Sequence, residues 1–133
     1  MGQYFIIVNK DKKELIHPHK FGDGLKLLEF GCSSMGTMTA LALLLRKSNE
    51  GGGGDYSGDD TEVVGRWTED KIVIVGDYDE SKLYEKAEKD YKDISVEIRK
   101  VMEKDLGIKY HIDIINTKEL DGKINKMEIV RRD

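Results

Sequence analysis

The first apolar run, QYFIIVN (3–9), places Tyr4, Ile6 and Val8 on one side of an extended chain and Phe5 and Ile7 on the other. Both sides are apolar, which predicts a strand covered on two faces. The polar NKDKK and then ELIH (14–17) follow, so the pattern reads as a β-hairpin. Pro18 ends the second strand because it has no amide hydrogen to give a ladder. HKFGDG (19–24) reads as a loop, and LKLLEF (25–30) fits either a short strand or a helical turn. From about 36 to 47 the Ala/Leu content predicts a helix. Its apolar residues Met38, Ala40, Leu41, Ala42, Leu43, Leu44 and Leu45 surround the axis, the mark of a buried central helix.

SNEGGGGDYSGDD (48–60) carries four consecutive glycines, whose ordering cost predicts a mobile loop, either a lid or plain disorder. TEVVGRW (61–67) and KIVIVGD (71–77) read as a second hairpin, with IVIV as a central strand. Ser81 to Leu106 contains neither Gly nor Pro and repeats its apolar residues at three- and four-residue steps. It predicts one long helix, or two divided near Lys92–Ser95 with Asp93 or Ser95 as the second N-cap, stopped by Gly107. KYHIDIINT (109–117) and KINKMEIVRR (123–132) read as a third hairpin. The expected fold is α+β in a single domain. It has a mostly antiparallel sheet of about three hairpins, one buried central helix and one amphipathic helical region.

Charge and cysteine content narrow the classes. The 133 residues carry a net charge of −4, with 22 basic and 26 acidic residues interspersed. No basic block exists to build a field for nucleic acid, and none is expected as a partner. The lone Cys32 excludes an internal disulfide and a cysteine-based zinc cluster, which fits a reducing interior. MGQYFIIVNKDKKE is too short in apolar residues for a signal peptide, and ALALLL too short to span a bilayer, so a cytoplasmic location is expected.

Candidate chemistry centres on GCSSMGTMT (31–39). A phosphate loop of the G-x-x-x-x-G-K-[ST] type wraps phosphates in backbone amides, neutralises them with lysine and holds magnesium with a hydroxyl. Here Thr37 replaces the lysine and Met38 the hydroxyl, which argues against nucleotide hydrolysis. The amides of a helix start still attract an anion. The ligand-binding set is therefore Gly31, Ser33, Ser34, Gly36 and Thr37, with Lys20 or Arg66 supplying charge. The alternative is capping by Ser33, Ser34 or Thr37. Cys32 lacks the arginine at 38 of a C-x-x-x-x-x-R loop, so a buried structural cysteine is expected. His17 and His19 form an H-x-H that points two imidazoles one way in an extended segment. Asp23, Glu29 or His111 would be the third metal ligand, yet no spacing selects among them, and no metal or cofactor is predicted. Asp55, Asp59, Asp60 and Glu62 lack EF-hand spacing and read as a solvated acidic lid. Tyr56, Trp67 and Tyr78 would line either a pocket or the core.

MGQYF, HPHKFGDGLKLLEFG, MTALALLL, GGGGD, VGRW, KIVIVGDYD and YKDIS together span most of residues 1–95. In these segments the chain resembles an uncharacterised family of small proteins from bacterial and mobile-element genomes. The resemblance implies no activity, cofactor or catalytic residue. Three functional readings remain. The first is a binding module for a small anionic or nucleotide-like ligand, without NTPase activity and with 49–60 as its lid. The second is an interaction protein, such as a mobile-element inhibitor or adaptor. The third is a small enzyme using His17, His19, Asp23 or Cys32.

Overall fold

The structure is a computed structural model, described here for residues 2–48, 53–110 and 131–132. The first hairpin forms as its alternation dictates: β1 (Phe5–Asn9) pairs antiparallel with β2 (Glu14–Ile16), Ile7 opposite Ile16. Its turn is held by side chains. Asn9 Oδ1 accepts the Lys12 amide at 2.8 Å, Asp70 accepts from Asn9 Nδ2 at 2.8 Å, and Lys13 takes a left-handed φ of 56°. Pro18 opens a 3-10 turn, Pro18–Phe21, which Gly22 closes at φ 79°. The ambiguous LKLLEF is helical, giving α1 (Leu27–Gly31), and the Ala/Leu segment is α2 (Thr37–Leu45). Ala42 and Leu45 of α2 face outward, so this helix is buried on most of its circumference rather than all of it.

The second hairpin is not formed. Residues 62–63 bend and 64–69 make successive turns, and β3 (Ile72–Gly76) pairs antiparallel with β1 along its whole length. The physical reason lies in helix packing and in one glycine. The Gly65 amide donates to Leu43 O and the Trp67 amide to Leu44 O, both at 2.8 Å, so this segment closes the end of α2. Gly65 sits at φ 84°, and a Cβ there would lie 2.8 Å from Arg46 O, so an extended strand is interrupted at that point.

The 81–106 region resolves into two helices, α3 (Leu83–Asp90) and α4 (Ser95–Leu106), separated by the two-residue strand β4 (Lys92–Asp93). Asp93 Oδ1 accepts the Ser95 amide at 2.8 Å, and Gly107 ends α4 at φ 69°. β4 pairs in parallel with β2, so the sheet, in order β3-β1-β2-β4, is mixed and not mostly antiparallel. The expectation of a mostly antiparallel sheet fails because β2 takes its second neighbour, β4, in parallel across a long connection. Lys109–Tyr110 (β5) pairs with Arg131–Arg132 (β6) antiparallel, and the rest of the third hairpin lies outside the described residues.

β1 is covered on both faces, as its two apolar faces require. Ile7 and Ile16 join Phe21, Phe30, Leu44, Trp67, Ile98 and Met102 on one side, where α2 and α4 pack. Ile6, Val8, Leu15 and Val75 meet Tyr84 and Ala87 of α3 on the other. No helix among the described residues is long and apolar enough to cross a membrane.

Candidate functional site

Because β2 lies between β1 and β4 with helices over the sheet, the run Glu14–Phe21 is buried throughout. Four of its side chains are polar; Glu14, His17 and Lys20 accept or donate hydrogen bonds through their side chains, whereas His19 Nδ1 has no hydrogen-bond partner among the described residues. Glu14 shares the inward face of β2 with Ile16. Its carboxylate accepts from Arg66 Nε at 3.0 and 3.1 Å, from Arg66 Nη2 at 2.5 Å and from Trp67 Nε1 at 2.9 Å. Burial raises the Glu14 pKa, but the Arg66 and Trp67 hydrogen bonds and the Arg66 charge outweigh it and hold the group below its ordinary range.

His17 and His19 lie side by side, ring centroids 5.1 Å apart and tilted by 50°. The His17 amide donates to Ser95 Oγ at 2.8 Å, and the His19 amide donates to His17 Nδ1 at 3.4 Å. Burial, then the neighbouring imidazole, lowers His17 to about 3, and burial lowers His19 to about 4 against the opposing charge of Glu29. Both rings are therefore neutral at physiological pH. Lys20 reaches Asp93 at 2.9 Å, and Arg99 Nη1 donates to Lys20 O at 3.1 Å, fastening the 3-10 turn to α4. Burial raises Asp93, yet hydrogen bonds from Ser95 and the Lys20 charge bring it below its ordinary value.

The GCSSMGT segment is a tight link between α1 and α2. Asp23 Oδ2 accepts the Thr37 amide at 2.8 Å and the Thr37 hydroxyl at 2.6 Å. Ser33 Oγ accepts the Met38 amide at 3.3 Å, and Thr39 Oγ1 accepts the Met35 amide at 2.9 Å. The positive end of α2 is thus met by a carboxylate that the chain itself supplies. Met35, at φ 60°, carries the left-handed turn, while Gly31 has open space where a Cβ would stand. Ser34 is exposed. Cys32 is exposed as well, contrary to the expected buried cysteine, because the single-turn α1 ends on the solvent side of the core. Asp77, at the end of β3, accepts the Tyr4 amide at 3.0 Å.

Of the residues singled out in the sequence, His17, His19, Lys20 and Asp23 lie together in one buried run, and Thr37 joins them through Asp23. Arg66 belongs to Glu14 instead. No group of three or more metal-ligating side chains converges among the described residues. Sequence reasoning missed the Glu14–Arg66–Trp67 cluster, although a charged residue at an inward strand position signals a buried partner. Asp23→Ala is expected to cost about 2 kcal/mol, since it uncaps α2 and strands a buried hydroxyl. Asp23→Asn, which keeps one acceptor, should cost less, as urea unfolding of the two variants will measure.

The other end of α2 is more open. Ala42, Leu43, Arg46, Ser48, Gly54, Asp55 and Tyr56 surround a cavity of about 360 Å³. The Arg46 guanidinium stands 5.4 Å from the Tyr56 ring centroid, within cation–π range. Arg46 forms no ion pair among the described residues. Tyr56 donates its hydroxyl hydrogen to Asp105; burial and that bond push its pKa up to about 12, so the phenol stays protonated. Two smaller clefts of about 310 and 200 Å³ border α4, and the second is lined by Arg66 and Lys92, which are paired with Glu14 and Glu97. Comparison of the chain with protein-family models, curated proteins and solved structures returns no match.

Proposed function

We propose that the protein binds a small anionic ligand in the Arg46–Tyr56 pocket, without hydrolysing a nucleoside triphosphate. One observation carries the reading: Arg46 has no carboxylate partner among the described residues, whereas Lys20 and Arg66 are neutralised by Asp93 and Glu14. The anion would sit on the guanidinium, and a flat apolar body would rest on Leu43 and the Tyr56 ring. Asp55 on the rim favours a ligand that also carries a donor, as a nucleotide base does. The exposed thiol of Cys32 suits a cytoplasmic setting.

Thermal-shift and titration measurements against inorganic phosphate, nucleoside monophosphates and aromatic carboxylates test this. At least one member should raise Tm, and Arg46→Ala should weaken its binding by about tenfold or more, the worth of a charge-assisted contact. Asp23→Asn, at the opposite end of α2, should leave that affinity unchanged. Absence of any shift across the panel, or binding indifferent to Arg46→Ala, overturns the reading.

A second reading, an interaction protein, is supported by α1. Leu27 is 44% and Leu28 72% exposed on this helix, more apolar surface than a single-turn helix needs to pack. Leu28→Glu should then abolish a stoichiometric complex while leaving Tm unchanged.

A further inference from the structure

The two edges of the sheet are built differently. β4 is two residues long and charged, the usual defence of an edge against another chain. β3 is five residues of Ile, Val and Gly, paired with β1 through five consecutive positions with no bulge, Pro or Lys within it. Ile74 at its centre is 39% exposed, and Lys71 and Tyr78 beyond its ends are exposed too.

The phase of the ladder says which groups this edge presents. Lys10 donates its amide hydrogen to Lys71 O at 2.9 Å, and Asp77 donates its own to Tyr4 O at 2.8 Å. Hydrogen-bonded pairs alternate along an antiparallel ladder, so Lys71, Val73, Val75 and Asp77 turn their amides and carbonyls toward β1. Those of Ile72, Ile74 and Gly76 point away from it. Among the described residues no other strand lies on that side.

We infer that β3 pairs antiparallel with β3 of a second copy of the chain, about a two-fold axis at Ile74. An axis at an outward-pointing residue makes Ile74 opposite Ile74 a mutually hydrogen-bonded pair, with Ile72 opposite Gly76 on either side. Gly76 is buried and its carbonyl already accepts the Asp79 amide at 3.1 Å, so the exposed Ile74 pair on the axis carries the hydrogen bonding between copies. The same axis sets Lys71 of each copy opposite Asp77 of the other. These are non-hydrogen-bonded positions, where Cα atoms approach to about 4.5 Å and side chains on one face meet most closely. Two ion pairs would then flank an apolar centre, and the two mixed sheets would join into one of eight strands. Self-complementarity of charge and of ladder phase in one register selects a second copy over an unrelated partner.

Sedimentation velocity over a concentration series should show a monomer–dimer equilibrium. Ile74→Lys places two like charges on the axis and should leave only monomer, with an unchanged circular dichroism spectrum. The register is read separately in a Cys32→Ser background. Ile74→Cys should form a disulfide-linked dimer, because facing Cα atoms lie about 5.5 Å apart. Ile72→Cys, two residues off the axis, should not. A protein that stays monomeric at its solubility limit, or a dimer that survives Ile74→Lys, overturns the inference. A monomer whose Ile74 amide is strongly protected from hydrogen exchange overturns it as well, by giving the edge to another strand of the same chain.

Discussion

Unfolding stability should fall on the order of 4 kcal/mol as pH drops from 7 to 4.5, well before the carboxylates titrate. His17 and His19 are held near 3 and 4 in the folded protein against 6.5 in the unfolded chain. Below pH 6.5 the unfolded state therefore binds two protons that the folded state refuses, and each ring costs up to about 1.4 kcal/mol per pH unit. The contribution is complete above 6.5 and is lost as pH falls toward the two folded values. Glu14 and Asp93 behave as depressed carboxylates: they stabilise above their ordinary values of 4.5 and 3.8, and their loss begins only below those. The interval between 6.5 and 4.5 thus isolates the histidines. Urea midpoints measured at half-unit steps should show the decline, and His19→Gln should remove about half of it. A flat profile over that interval would mean the imidazoles are hydrated and not buried as a pair.

The second large effect is expected at Glu14, where alanine should cost about 3 kcal/mol. Its carboxylate is the acceptor for the fully buried Trp67 indole and for two nitrogens of Arg66. Removal leaves the indole N–H without a partner in a dry core, worth about 1–3 kcal/mol alone, and opens space beside β2. The Arg66 side chain is 41% exposed, so its charge can return to water. The full penalty for splitting a buried ion pair is therefore not reached. Glu14→Gln keeps an acceptor for the indole and should cost roughly 1 kcal/mol. Equal losses for the two substitutions would show that the charge on Glu14, rather than its role as an acceptor, holds the cluster.

Both effects arise from the segment ELIHPHKF, whose burial was only partly legible. The double-sided apolarity of FIIV announced a covered β1, and Pro18 announced the break after β2. Nothing local in the sequence says that His17, His19 and Lys20 would be inside, because loops of this composition normally face water. Their burial follows from α4, whose Ser95 and Arg99 come from nearly eighty residues away to bond the 3-10 turn. The reading of GCSSMGT as an anion seat used correct physics on the wrong range. The helix start does attract a carboxylate, and the one in place is Asp23, fourteen residues upstream of Thr37. VVGRW was misread as a strand because valines and tryptophan favour strands, while the left-handed Gly65 and its closeness to Arg46 O became decisive only once α2 was packed.

The sequence by itself determined the first hairpin, a helix within about 36–47, the stop at Gly107, the α+β class and the absence of a lysine for phosphate chemistry. Each of these depends on neighbours within a few residues, where periodicity and backbone restriction act. Only the tertiary structure decided the rest: that β4 joins β2 in parallel, that Lys20 and Arg66 are neutralised by Asp93 and Glu14, that Arg46 is left over a pocket, and that β3 stands at an edge. Those outcomes turn on which distant charge or strand reaches a group as it loses water, and desolvation is a property of the packed chain, not of any stretch of it.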